Sequence, residues 1–192
     1  MEKELKNKVV IVFAIFFALQ MIVSCCPEST YEYTVTGVST RALKLEGNNF
    51  VAVSSQDVIQ KEEVILEIIF EGTEVQVSHV MKEVSKLGVQ SAYAAIDCED
   101  ATINYKNKVD RVEIFAVDAN STEVEVTHDA VIQGSQESIA SYIAANILSV
   151  RNGLAVSFSN VSNIPSEASF RIRAFLSDNT VVEAVTNQVS FN

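Results

Sequence analysis

The chain is poor in the residues that most often mark chemical function. Among its 192 residues there is no Trp, and there are two His, two Pro, three Cys and six Gly. It contains neither a Gly-x-Gly-x-x-Gly nor a P-loop motif, which excludes the phosphate-binding loops built on those glycines. It also lacks the Gly-x-Ser-x-Gly turn of α/β-hydrolases. The absence of Trp disfavours a carbohydrate platform, because such platforms commonly use large aromatic faces.

Metal and nucleophile chemistry has few candidates. His79 and His128 are 49 residues apart, and no cysteine pair has zinc-finger spacing, so no zinc site is predicted. His128 and Asp129 are adjacent, and adjacent side chains on a strand point to opposite faces, so no His–Asp relay is expected. Cys98 lies among acidic residues at 97, 99 and 100, which disfavour a reactive thiolate. We therefore expect no catalytic residue, no metal and no cofactor.

One weak calcium candidate remains in the middle of the chain. Asp118, Asn120 and Thr122 place oxygen ligands at alternate positions, and Asp129 stands where an EF-hand would use its bidentate Glu. Glu123, however, occupies the position that needs Gly in such a loop. A polar loop is therefore the favoured interpretation.

The N-terminal segment carries the most informative pattern. Three lysines in the first eight residues precede a fifteen-residue apolar run, 9–23, which is broken only by Gln20. A basic start, a short apolar run and small residues before a cut are typical of a secretory signal. A membrane-spanning helix needs about 20 apolar residues, more than this run provides.

The segment Val23-Ser24-Cys25 resembles a bacterial lipobox, in which a diacylglyceryl group is attached to the cysteine and the chain is cut before it. We interpret residues 1–24 as a lipoprotein signal peptide and Cys25 as the lipidation site. Plain secretion and a retained membrane anchor are the alternatives. The expected location is the bacterial cell envelope, with the outer membrane favoured and the leaflet undetermined.

The mature chain is strongly acidic. Cleavage before Cys25 leaves 168 residues with 11 basic and 23 acidic side chains, a net charge of −12. Such a surface repels phosphate backbones, so nucleic acid is not expected as a partner. It gives no electrostatic attraction to anionic lipid either, so attachment to the membrane would depend on the N-terminal lipid.

Cys26 and Cys98 are the thiols that remain once Cys25 carries a lipid. Disulfides persist in an oxidising compartment, and a Cys26–Cys98 bridge would join the N-terminus to the middle of the domain. The alternative is two unpaired thiols, with Cys98 buried as a small apolar side chain.

The mature chain is predicted to be a short tether, 25–30, and a single domain, 31–192; two subdomains, 31–90 and 91–192, are the alternative. Alternating and continuous apolar patterns predict strands. The predicted strands cover 31–36, 50–53, 64–70, 74–77, 91–98, 112–117, 123–127, 170–176, 181–185 and 189–191. The run 64–70 is apolar enough for a strand covered on both faces, and a separate alternating segment follows Gly72. Asp178-Asn179 between two alternating runs predicts a hairpin.

Two helices are predicted between the strands. One, at 81–87, ends before Gly88. The other is capped by Ser135, and its apolar face is formed by Ile139, Tyr142, Ile143, Asn146 and Ile147. Many short strands with one well-marked connecting helix predict an all-β sandwich, immunoglobulin-like in the broad sense, with this helix at one end.

Several segments together resemble lipoproteins of Bacteroidetes-type bacteria that carry a β-rich domain of unknown function. These segments are Val23-Ser24-Cys25-Cys26, Tyr31-Glu32-Tyr33, Ala92-Tyr93-Ala94 with Cys98, the strand 112–118 and the hairpin 170–179. The resemblance covers most of the mature chain. It implies a β-rich envelope lipoprotein and assigns no catalytic residue.

Arg171, Arg173 and Phe175 share one face of a predicted strand and are the candidate binding residues. In an acidic protein the two arginines either form salt bridges to neighbouring strands or mark an anion or partner site. Phe175, with Phe115 and Val117, forms either an exposed apolar patch or the second buried face of a sandwich.

The sequence thus predicts a non-enzymatic envelope lipoprotein with a protein-interaction or structural role and an envelope protein as partner. The alternative is a lipoprotein that binds a small ligand or glycan. That alternative needs a concave aromatic cluster, and burial of the tyrosines in the core would count against it. The tyrosines concerned are Tyr31, Tyr33, Tyr93, Tyr105 and Tyr142. A hydrolase, the third hypothesis, would need at least two acids converging in one cleft.

Overall fold

The computed structural model describes residues 29–79, 102–146 and 153–192. Within these ranges it contains twelve strands and one α-helix. The strands are β1 Ser29–Glu46, β2 Asn49–Ala52, β3 Val58–Ile59, β4 Ile65–His79, β5 Thr102–Tyr105, β6 Val109–Val117, β7 Glu123–Glu125, β8 Ala130–Ile132, β9 Leu154–Phe158, β10 Glu167–Leu176, β11 Val181–Val185 and β12 Val189–Phe191. The helix, α1, is Ile139–Ala145, and two 3-10 turns lie at Lys61–Glu63 and Thr127–Asp129. No helix in the described part of the chain is long and apolar enough to cross a membrane.

The chain divides into two compact units. One comprises Met1–Tyr31 and Gln76–Ile103, and the other comprises Glu32–Val75 and Asn104–Asn192. The predicted signal peptide, Cys25, Cys26 and Cys98 lie outside the described residues, as do the predicted helix 81–87 and strand 91–98. Lipidation, the disulfide and the domain boundaries therefore stay predictions.

The strands form two six-stranded sheets. In the first sheet the order is β2-β1-β4-β9-β8, with β5 paired to β1; in the second it is β3-β12-β10-β6-β7, with β11 paired to β10. This mainly β architecture, a sandwich of two sheets, confirms the all-β prediction.

The core lies between the inner faces of the two sheets. Alternate residues of β10, from Ala168 to Leu176, are buried, and Ile172 pairs with the buried Ile114 of β6. In the first sheet the buried Leu66 and Ile68 of β4 pair with buried residues of β9. Phe158 of the first sheet stacks on Phe170 of the second, with 5.5 Å between ring centroids.

The predicted hairpin at the end of the chain is confirmed. Strands β10 and β11 pair antiparallel from Arg171–Val185 to Phe175–Val181. In the turn, Asn179 has a φ of 66°, and the backbone N–H of Thr180 donates to Asp178 Oδ1 at 2.9 Å. Asn tolerates the left-handed conformation better than most residues, and the Asp side chain satisfies a turn N–H.

Strand β4 departs from the prediction in two ways. First, it continues without a break through Gly72. Second, its outer face is only partly covered, because Glu67 is half-buried and Ile69 is exposed. A Cβ at Gly72 would lie 2.5 Å from the ring of Tyr33 and 2.6 Å from the carbonyl oxygen of Thr34. This glycine therefore permits close packing of β1 and does not mark a turn.

Helix α1 has a different N-cap from the one predicted. Ser138 is the capping residue, and its hydroxyl accepts the backbone N–H of Ser141 at 3.3 Å. Ser135 lies three residues earlier, in the turn after β8, so its assignment as the cap is wrong. Ile139 and Ile143 are buried, as predicted, and the helix packs against β6 and β8.

Asn107 is a buried side chain that joins the two sheets. Its Oδ1 accepts the backbone N–H of Val35 at 2.7 Å, and its Nδ2 donates to the carbonyl oxygen of Val35 at 3.1 Å. The same Nδ2 donates to Asp178 Oδ2 at 3.0 Å. Val35 belongs to β1 of the first sheet, whereas Asp178 lies in the β10–β11 turn of the second.

We expect the Asn107→Asp variant to lose about 3 kcal/mol in the free energy of unfolding at neutral pH. The substitution replaces the amide donor with an oxygen that faces the Val35 carbonyl and the Asp178 carboxylate, all within a buried site. Urea unfolding measures the loss. Asn120→Asp, the same change in an exposed turn, is the control and should alter stability by less than about 0.5 kcal/mol. Equal stability of the two variants would contradict the assigned role of Asn107.

Asp178 should also make folding sensitive to acid. Hydrogen bonds from the backbone N–H of Thr180 and the side chain of Asn107 hold the pKa of Asp178 below its ordinary value. A carboxylate with a lowered folded pKa stabilises the protein above its unfolded pKa of about 3.9, and this stabilisation is lost as pH falls through the folded value. The stability advantage of the wild type over Asp178→Asn should therefore shrink below about pH 4. An advantage that stays unchanged down to about pH 2 would refute the linkage.

Candidate functional site

The three predicted binding residues lie on the outer face of the second sheet. All three are on β10, and each has a cross-strand partner on β6: Phe115 for Arg171, Glu113 for Arg173 and Arg111 for Phe175. Both β10 arginines have 32% of their side chains exposed. The strand alternation that buries Ile172 and its neighbours places these residues on the opposite face.

Each arginine on this outer face has an acidic partner. Arg171 Nη1 lies 2.6 Å from Glu123 Oε1 of β7, and Arg173 Nε donates to Glu183 Oε1 of β11 at 2.7 Å. Arg111 forms a third ion pair, at 2.7 Å, with Glu113 on its own strand. The sequence left open whether the β10 arginines form salt bridges to neighbouring strands or mark an anion or partner site. In the structure they form salt bridges to β7 and β11. Their positive charge is already neutralised, which disfavours an anion site.

The aromatic rings of the outer face are covered by guanidinium groups. Arg111 Cζ lies 3.9 Å from the centroid of the Phe175 ring, and Arg173 Cζ lies 5.0 Å from that of Phe115. Both rings are half-buried, so they form neither an open apolar patch nor a fully buried second face. Cation–π contacts at such partly exposed sites contribute roughly 0.5–1 kcal/mol each.

The calcium candidate forms the turn between β6 and β7. Asp118 Oδ1 accepts the backbone N–H groups of Asn120 at 2.8 Å and Thr122 at 2.7 Å. These bonds, that from Thr122 foremost, hold the pKa of Asp118 below its ordinary value. The carboxylate therefore closes a turn. Among the described residues, no group of three or more His, Cys, Asp or Glu side chains could hold a metal ion.

His128 and Asp129 do not point to opposite faces, so that prediction is wrong. They belong to a 3-10 turn, not a strand, and His128 Nε2 lies 3.2 Å from Asp129 Oδ2. Asp129 is buried, whereas 68% of the His128 side chain is exposed. Asp129 Oδ2 makes no aligned hydrogen bond, so the pair is a close contact and not a relay.

Among the tyrosines that the structure describes, the most buried one lies in the core and does not line an open concave surface. Tyr33 is buried, and its ring meets that of Tyr105 edge to face at 5.7 Å between centroids. Tyr142 lies on helix α1, and Tyr93 falls outside the described residues. Burial of Tyr33 in the core counts against the small-ligand alternative.

A surface that the sequence did not single out lies where β1 turns into β2. Leu45 and Phe50 are cross-strand partners, and they are 57% and 53% exposed. We refer to these two residues as the hairpin end. The short apolar run 50–53 predicted the strand that contains Phe50, whereas Leu45 fell in no predicted strand, and nothing in the sequence indicates that the two side chains are exposed.

Charged groups hold the base of the hairpin end. Lys44 Nζ lies 2.8 Å from Glu46 Oε1 and 3.2 Å from Asp57 Oδ2. These two carboxylates raise the pKa of Lys44, Glu46 having the larger effect. The turn itself is Gly47-Asn48, and Gly47 adopts a φ of 64°, a conformation suited to glycine.

A shallow cavity lies beside this region. Its volume is about 110 Å³, below the roughly 300 Å³ at which pockets for small ligands begin. It is lined by Thr40, Arg41, Ala42, Ala52, Val53, Val185 and Asn187. The cavity therefore gives little support to a small-ligand site.

No protein-family model, curated protein or solved structure matches the chain.

Proposed function

We propose that the chain is a non-enzymatic lipoprotein of the bacterial cell envelope, anchored by a lipid at Cys25 in the outer membrane. Its β-sandwich, immunoglobulin-like in the broad sense, would bind an envelope protein through the hairpin end. The observation that carries this proposal is the exposed cross-strand pair Leu45 and Phe50 at the end of the β1–β2 hairpin.

The composition of the hairpin end supports binding to a protein. Phe50 and Leu45 lie side by side and are more than half exposed. Exposed apolar residues with charged neighbours are typical of protein interfaces, in which aromatic residues are enriched. Lys44, the neighbour of Leu45 in β1, forms an ion pair with Asp57 at 3.2 Å.

The two other hypotheses receive less support. Against a ligand-binding function, Tyr33 is buried in the core and the cavity beside β1 is small. Against a hydrolase, several acids of the described residues are engaged in structural ion pairs on the sheets, such as Glu123 with Arg171 and Glu183 with Arg173.

Replacement of the predicted lipidation site tests the anchor. We expect Cys25→Ala to abolish incorporation of labelled fatty acid and to remove the protein from the membrane fraction, because the thiol that would carry the lipid is gone. Cys26→Ala, one residue away, should retain both the label and the membrane location. If Cys25→Ala fractionates like the parent, the lipoprotein interpretation is wrong.

Site-specific crosslinking in intact producing cells tests the binding surface. A photoreactive residue in place of Phe50 should give one discrete adduct with an envelope protein, and that adduct should weaken at least fivefold when Leu45→Ser is added. The same residue in place of Val181, which is 44% exposed on β11, is the matched control and should not give this adduct. No adduct at position 50, or identical adducts at both positions, would rule out the hairpin end as the docking surface.

A further inference from the structure

The turn between β6 and β7 contains an acceptor sequence for N-linked glycosylation. It reads Asp118-Ala119-Asn120-Ser121-Thr122, in which Asn120 and Thr122 fit the Asn-x-Ser/Thr pattern. All of residues 119–122 are exposed. We infer that Asn120 is a glycan attachment site that is used when the protein is exported.

The shape of the turn presents Asn120 to a modifying enzyme. Asp118 fixes the two ends of the segment, because its Oδ1 accepts the backbone N–H groups of Asn120 and Thr122 and its own N–H donates to the Thr122 carbonyl at 3.0 Å. Ser121 has a φ of 65°, which reverses the chain directly after Asn120. The asparagine amide therefore lies on a tight, solvent-exposed turn between two strands, where a bulky glycan displaces no packed side chain.

A second acceptor sequence in the chain provides an internal contrast. Asn160-Val161-Ser162 also fits the pattern and lies in an exposed loop after β9. The residue two positions before Asn160 is Phe158, which is buried in the core. Before Asn120 the corresponding residue is Asp118, whose carboxylate closes the turn and so holds Asn120 at its exposed tip. We therefore expect Asn120 to be the modified site.

The reaction that this assignment implies is a glycosyl transfer without oxidation or reduction. A bond forms between Asn120 Nδ2 and C1 of the first sugar, and the bond from C1 to the phosphate oxygen of a lipid-pyrophosphate-linked oligosaccharide breaks. The lipid pyrophosphate is the leaving group, and Nδ2 loses one proton to solvent. The donor and the transferase belong to the envelope, so the inference depends on the export that the proposed function also requires.

Mass spectrometry of the full chain purified from its producing cells tests the inference. We expect the peptide with Asn120 to carry the added mass of an oligosaccharide and the peptide with Asn160 to be unmodified. The addition should disappear in Asn120→Gln and in Thr122→Ala but persist in Thr122→Ser, which keeps the hydroxyl. Asp118→Asn, which weakens the acceptor that closes the turn, should lower occupancy at least tenfold, and urea unfolding of this variant distinguishes a change in the turn from loss of the fold.

The N-terminus of the same sample separates this inference from the proposed function. If the chain begins at a lipidated Cys25 but its Asn120 is unmodified, the glycosylation inference is overturned and the lipoprotein proposal stands. A glycan at Asn120 on an unprocessed chain would support the inference and contradict the lipoprotein proposal. Modification at Asn160 alone would also overturn it.

Discussion

The buried amide of Asn107 is the interaction on which the arrangement of the two sheets depends. It satisfies both backbone groups of Val35 on β1 and reaches Asp178 in the turn of the β10–β11 hairpin. A buried polar group without a partner costs roughly 1–3 kcal/mol. A shift of β1 or of the hairpin turn would leave the amide, or Val35, without its partner, so the two sheets are held in one alignment.

Two further contacts fix β1 along its length. The ring of Tyr33 packs where Gly72 leaves no Cβ, and Thr40 Oγ1 donates to the carbonyl oxygen of Glu67 at 2.9 Å. Since β1 continues directly into the β1–β2 hairpin, these contacts also fix the position of Leu45 and its partner. A surface held in place before binding loses little conformational entropy when a partner docks, which favours the hairpin end as a binding site.

Sequence patterns predicted the parts of the fold in which alternation is long and regular. The β10–β11 hairpin is of this kind, because every second residue of β10 from Ala168 to Leu176 is buried and the turn signal Asp178-Asn179 follows. The three-residue strand β8 has too few residues for a period to be recognised, and β5 and β9 were missed as well. Gly72 and the pair His128–Asp129 were misjudged because close packing and a 3-10 turn depend on tertiary contacts. The exposure of the hairpin end could not be predicted, because sequence alternation does not tell where a covering sheet ends.

The outer face of the second sheet and the hairpin end differ in what a partner would have to displace. On the outer face of the second sheet, Arg171 and Arg173 are paired with carboxylates, and guanidinium groups cover the rings of Phe115 and Phe175. A partner docking there would have to break ion pairs and desolvate half-buried charges, a cost that often equals the electrostatic gain. Covering Leu45 and Phe50 removes apolar surface from water at about 25 cal/mol per Å² without breaking such contacts. The predicted binding residues of β10 therefore stabilise the sheet, and the hairpin end is the surface from which binding free energy can be gained.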